Sequence, residues 1–178
     1  MDIRIQKTKK NIINSFIELR SKKAIEKITI KELCEKAEIN KSTFYSHYSD
    51  IYDLSDSLEN ELLNSIISDL PDTYKAITEP EEFTRRLALS LTSHNSLLKI
   101  LFSGNRSGLF IVKLNNTLKS LIFKKYPEYK DDFKINTMLS FLIYGGYYAY
   151  SDNYMNGESE VIELISQISK ITFDTLLL

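Results

Sequence analysis

Residues 28–48 read ITIKELCEKAEINKSTFYSHY, and this run decides the fold. Thr29 and Glu32 stand three apart just ahead of Leu33, the T-x-x-E spacing in which each side chain reaches an orphan backbone N–H of the other residue. A helix is therefore expected from about Ile30. Ile30, Leu33, Cys34 and Ala37 fall at i, i+3, i+4 and i+7 and form its inward face. Two turns cannot stand alone in water, so this helix needs neighbours. After Ala37 the polar-apolar-polar break Glu38-Ile39-Asn40 predicts a turn, and Asn40 is a good N-cap for a second short helix from Lys41 to about His47. Phe44 and Tyr48 point inward at i, i+4, which leaves Lys41, Ser42, Thr43, Tyr45 and His47 outside. Two short helices across a three-residue turn make a helix-turn-helix, and the outward set on the second consists of phosphate and base-edge binders.

Extended to Leu54, the run ITIKELCEKAEINKSTFYSHYSDIYDL closely resembles the N-terminal DNA-binding signature of TetR-type transcriptional regulators. The resemblance rests on the Thr29 cap, on Ala37 before the turn, on Ser42-Thr43-Phe44-Tyr45, on the aromatic Tyr48 and on Asp53-Leu54 in the next helix. It spans residues 7–54 and is weak beyond them. Two positions depart from the pattern. Glu38 stands where the family often has Gly, at a cost of roughly 1 kcal/mol if φ is positive there. Ile51 stands where the family often places a phosphate-touching Lys.

The resemblance implies an all-α regulator, with a three-helix helix-turn-helix domain over 1–50 and a helical dimerisation and effector domain over 51–178. It implies that Lys41, Ser42, Thr43, Tyr45 and His47 face double-stranded DNA. Lys41 suits a phosphate or a guanine edge, Ser42 and Thr43 can bond to either, and the Tyr45 hydroxyl can reach backbone phosphate. Thr29, at a capped helix N-terminus, is expected near a phosphate as well.

Charge agrees with this division. Met1–Asp50 carries 11 Lys and Arg against 7 Asp and Glu, and the rest carries 12 against 17, so the basic half is the half with the motif. The first segment, Arg4 to about Lys22, has Ile12, Ile13, Phe16 and Leu19 at helical spacing and is expected to pack over the two short helices. Lys7 and Lys10, with Arg4 and Lys9, are either solvated charges on a terminus or phosphate contacts that add affinity without sequence information.

The single cysteine, Cys34, excludes an internal disulfide and is consistent with a reducing cytoplasm; a small packed residue at that position is expected to be inert. No apolar run approaches the roughly 18 residues of a membrane span. No Gly-rich phosphate loop, H-E-x-x-H, C-x-x-C or G-x-S-x-G occurs, and the two histidines, His47 and His94, are far apart. The chain is therefore expected to be no enzyme, to need no cofactor, and to hold no metal.

A long helix capped by Ser49 or Asp50 should run towards Leu70, with Leu54, Leu58, Leu62 and Ile66 spaced by four, until Pro71 stops it. Phe83, Leu87 and Leu91 suggest a further helix, Leu97–Phe102 a short one, residues 103–108 a loop, and Phe110, Leu114, Leu118, Leu121 and Ile122 another helix ending before Pro127. The last two helices are the most apolar. Ile135, Met138, Leu139, Leu142, Ile143, Gly146 and Tyr150 share a face, and Asn156-Gly157 turns the chain into a helix with Val161, Leu164, Ile165, Ile168 and Ile171. Gly145, Gly146 and Ala149 suit a close backbone approach. A homodimer interface of two helices from each subunit, through Leu142, Gly145, Gly146, Ala149, Val161, Leu164, Ile165 and Ile168, is the expectation, with packing inside one chain as its rival. Phe102, Phe110, Phe141, Tyr144, Tyr147 and Tyr148 either line an effector cavity or form ordinary core.

The reading is a sequence-specific transcriptional regulator on a near-palindromic operator, by resemblance a dimeric repressor relieved by a small effector. The alternatives are an activator or co-regulator working through a protein partner, and a helical ligand or interaction module that has lost DNA binding.

Overall fold

Capping side chains decide where the helices begin. In the computed structural model, which describes residues 3–72 and 74–176, Thr29 Oγ1 accepts from the Glu32 amide at 3.2 Å and opens α2 (Ile30–Lys36), preceded by α1 (Ile3–Arg20). Asn40 opens α3 (Lys41–Tyr45) by accepting from the Thr43 amide at 2.8 Å. Asp50 opens α4 (Ile51–Ser68) by accepting from the amides of Tyr52 and Asp53 at 2.7 and 2.8 Å, while Asp53 reaches back to the Ser49 amide at 2.8 Å. There follow α5 (Lys75–Thr78), α6 (Pro80–Ser93), α7 (Asn95–Leu101), α8 (Leu109–Lys125), α9 (Phe133–Asn153) and α10 (Glu158–Leu176). No strand occurs among the described residues, and the all-α expectation holds.

The chain forms two compact units, one of residues 1–62 and 96–107, the other of 63–95 and 108–178. The expected division at residue 50 differs from this: the change of unit falls inside α4, between Leu62 and Leu63, and a distant segment joins the first unit.

In the first unit α1 packs on α2 and α2 on α3. Ile12, Phe16, Leu33, Phe44 and Leu54 are fully buried, and Cys34, Ala37 and Tyr48 nearly so, which are the inward positions that helical spacing selects. Ile30 is only half-buried. Ile51 is 6% exposed, so it is a core contact and offers nothing outward.

Two arginines, Arg20 buried and Arg106 half-buried, hold 96–107 in this unit. Arg20 donates to the carbonyls of Lys23 and Leu101, each at 3.1 Å, and to Ser103 Oγ at 2.9 Å, so it satisfies an orphan carbonyl at the end of α7. Arg106 donates to both carboxylate oxygens of Glu59, at 2.6 and 2.9 Å, and to Asp56 at 2.5 Å. Glu59 is fully buried and also accepts from Ser55 Oγ at 2.9 Å.

Glu38 adopts φ 55°, the left-handed conformation that disfavours a side chain. Glu38→Gly should therefore stabilise the first unit by roughly 0.5–1 kcal/mol, the relieved strain being partly offset by the freer unfolded chain. Urea unfolding checks this; an unchanged or lower midpoint would contradict it.

In the second unit α10 packs on α6 and α9, and α8 on α9. Three contacts run antiparallel along α6 and α10: Thr84 to Ser169 at 2.9 Å, Arg85 to Glu163, and Thr92 to Glu158 at 3.2 Å. Ser166 and Ser169 are buried on α10, with hydroxyls satisfied by Ile162 O and by Thr84. α4 ends at Ser68, two residues before the expected Leu70, and the four-residue α5 has no counterpart in the expected helices.

Candidate nucleic-acid interface

The outward surface of α3 is built on a short buried stem. Phe44 and Tyr48 fill the core below it, with ring centroids 5.9 Å apart, and burial pushes the Tyr48 hydroxyl up to about 12. Lys41, Ser42 and Tyr45 are exposed, and Thr43 and His47 half-exposed. Tyr45 is 56% exposed, with its ring edge-on to Phe44 at 5.7 Å, so the core fixes the ring while the hydroxyl faces water. α3 is shorter than expected, ending at Tyr45, and His47 lies beyond it against Tyr48.

Asn40 does more than cap. Its Oδ1 also accepts from Ser42 Oγ at 2.7 Å and from Thr43 Oγ1 at 2.8 Å. Both hydroxyl protons are thus spent inside the motif, and the two oxygens present lone pairs outward. In this arrangement Ser42 and Thr43 suit donors such as the adenine or cytosine amino groups; to bind phosphate each must first release Asn40.

The other half of the expected capping box is replaced. Glu32 pairs with Lys23 Nζ, at 2.7 and 2.5 Å, where the T-x-x-E spacing predicts a return bond to Thr29. An ammonium within reach outcompetes a neutral amide for a carboxylate. Thr29 remains exposed at the start of α2.

Ion pairing sorts the cations of this unit. Lys9 pairs with Glu61 at 3.1 Å, while Lys22 and Lys36 both hold Glu18 at 2.8 Å and bring its carboxyl down to about 2. Lys7, Lys10 and Lys41 are exposed with no ion pair among the described residues, which leaves their charge open to a polyanion. Cys34 is buried, and burial raises its thiol above the usual range.

In the second unit the named aromatics lie in several places. Phe110 is core, its ring 5.6 Å from Tyr147, which in turn meets Tyr148 at 5.3 Å. Phe141 and Tyr144 instead line an open groove of about 560 Å³ between α8 and α9, with Lys119, Asn136, Thr137 and Ser140. Phe102 is buried and belongs to the first unit. Lys119 escaped the sequence reading, although a lysine four residues after Asn115 interrupts the apolar stripe of α8 and marks a polar spot.

Of the residues expected at a subunit interface, Gly145, Ala149, Leu164 and Ile168 are exposed, and Leu142, Gly146, Val161 and Ile165 half-buried. Gly146 is explained inside one chain, since a Cβ there would lie 3.3 Å from Ile165 Cγ2; at Gly145 a Cβ would meet open space. Tyr148 and Ile171, each at least half-exposed, continue the same uncovered apolar surface of α9 and α10.

Ser65, His94 and Asp69 also come together, but as a helix tie. His94 Nδ1 meets the Ser90 carbonyl at 2.9 Å and lies 3.9 Å from Asp69, while Nε2 meets Ser65 at 3.2 Å, which joins the end of α6 to α4. Among the described residues no group of three His, Cys, Asp or Glu could hold a metal ion, and no helix is long and apolar enough to cross a membrane.

A solved structure aligns over nearly the whole chain. It is named Dihydroxyacetone kinase operon activator DhaS, and it matches with a TM-score of 0.59 and 18% identity over 95% of this chain and 96% of that one. The chain shares the fold of DhaS. At this identity the likeness to DhaS is one of fold, and it extends through both compact units. No protein-family model and no curated protein sequence matches the chain.

Proposed function

We propose that this protein is a sequence-specific regulator of transcription that binds double-stranded DNA as a two-fold homodimer. The observation that carries the reading is the surface of α3. A buried Phe44–Tyr48 stem supports Lys41 and Tyr45, which are exposed, together with two hydroxyl oxygens whose orientation Asn40 fixes. Such a surface enters a major groove, with Lys41 and Tyr45 on phosphate or guanine and Ser42, Thr43 and His47 towards base edges. Lys7, Lys10 and Thr29 add backbone contacts that position the unit.

The apolar surface of α9 and α10 supports a four-helix interface between two copies, which spaces the two α3 helices for half-sites about one helical turn or a small multiple apart. α4 passes from one unit into the other, and by resemblance to TetR-type regulators it carries an effector signal to the DNA-reading unit.

Repression relieved by a small effector is the default mechanism that the resemblance supplies. Activation through a protein partner is the second reading, favoured by the likeness in fold to a protein named an operon activator.

Lys41→Ala and Tyr45→Phe should each weaken binding to the selected operator by roughly 1–2 kcal/mol, about 5- to 30-fold, with the fold intact by circular dichroism. Lys41→Ala should also lower the slope of log affinity against log salt by about 0.9. Fluorescence anisotropy on operator and scrambled duplexes reads both effects. Unchanged affinity in both variants would sink the assignment and favour a ligand or interaction module without DNA binding.

A further inference from the structure

The groove between α8 and α9 contains a charge with no counter-charge. Lys119 is half-buried, and its Nζ donates to the Asn136 carbonyl at 2.9 Å, to Ser140 Oγ at 2.7 Å and, more distantly, to Asn136 Oδ1 at 3.4 Å. All three acceptors are neutral, and no carboxylate pairs with this lysine among the described residues. Burial alone acts on its ammonium, lowering its proton affinity. A partly desolvated cation that faces no anion is costly to keep unless an anion arrives.

The surroundings are arranged to receive one. Ser140 spends a lone pair on Lys119 and keeps its own proton to donate. Thr137 adds an exposed hydroxyl on the next turn of α9, and Phe141 and Tyr144 offer aromatic surface beside it. The groove, about 560 Å³, is in the size range of small-molecule sites.

We propose that this groove binds a small organic anion, a carboxylate or phosphate on a flat apolar body. The anionic group sits at Lys119, Ser140 and Thr137, and the flat body lies against Phe141 and Tyr144. This gives a ligand class to the effector reading of the second half and rests on that reading for its regulatory meaning; occupancy of the groove is measured without DNA.

The test titrates the full-length protein with benzoate, phenyl phosphate and the neutral isostere benzamide, followed by saturation-transfer NMR and thermal melting. At least one anion should bind saturably, and benzamide about tenfold more weakly or less. Lys119→Met should remove the preference for the anion, and Ser140→Ala should weaken anion binding severalfold. If Lys119→Met does not fold, Lys119→Gln and Ser140→Ala carry the comparison. The relative affinity of benzoate and phenyl phosphate distinguishes a carboxylate ligand from a phosphate one.

The proposal is overturned if neither anion binds saturably, if benzamide binds as well as the anions, or if anion preference survives loss of the Lys119 charge. It is overturned as well if Lys119→Met changes subunit association and leaves anion binding as it was, because the lysine then serves the partner copy. A protein that binds benzoate through Lys119 yet selects no DNA sequence would sink the regulator reading and leave this one standing.

Discussion

Leu164→Arg is expected to convert the proposed dimer into a folded monomer. Leu164 is 57% exposed in a single chain, so an arginine there costs the monomer little. In a two-fold interface the substitution occurs twice, and each copy must bury a guanidinium with no partner. At roughly 3 kcal/mol per copy the pair costs about 6 kcal/mol, about a 10⁴-fold loss of subunit affinity. Sedimentation velocity should then show one chain where the unmodified protein should show two, with unchanged circular dichroism. DNA binding should fall to that of a single half-site. An unmodified protein that is monomeric, or a variant that remains dimeric, would contradict the interface.

Arg106→Ala is expected to destabilise the first unit by roughly 3–5 kcal/mol, a large share of the 5–15 kcal/mol typical of whole domains. The cost comes from Glu59, which is fully buried and loses the guanidinium that neutralises both its carboxylate oxygens. Asp56, more exposed, also loses its contact with Arg106 but keeps access to water. Replacing both members of the pair, Arg106→Met with Glu59→Leu, should recover most of the loss, since the buried carboxylate is then gone together with its guanidinium. Urea unfolding measures both variants. A loss below about 1 kcal/mol for Arg106→Ala would show that Glu59 is adequately solvated without it.

The helix-turn-helix was largely legible because its determinants are local. Thr29 and Asn40 cap the helices that their positions announce, and Phe44 and Tyr48 are buried as i, i+4 spacing requires. At Glu38 the resemblance raised a positive φ only as a condition, and the structure has φ 55° there. What escaped depends on partners distant in sequence or on competition between nearby ones. Residues 96–107 join the first unit through Arg20 and Arg106, whose acceptors lie 81 and 47 residues away. Glu32 had two candidate partners, and spacing alone favoured the amide over the Lys23 ammonium that it takes. Ser42 and Thr43 stand outward as expected, but the donation of both hydroxyl protons to Asn40 is a matter of rotamers that no spacing rule conveys. For the aromatics of the second half, helical spacing could not separate Phe110, in the core, from Phe141, on the open groove.

Selection of bound sequences from a randomised duplex library, with the purified full-length protein at near-physiological salt, tests the central claim most directly. Recovery of a two-fold-symmetric motif, its half-sites about one helical turn or a small multiple apart and its enrichment reduced in Lys41→Ala, is the predicted result. Failure to enrich any sequence, at low salt as well as near-physiological salt, would contradict it.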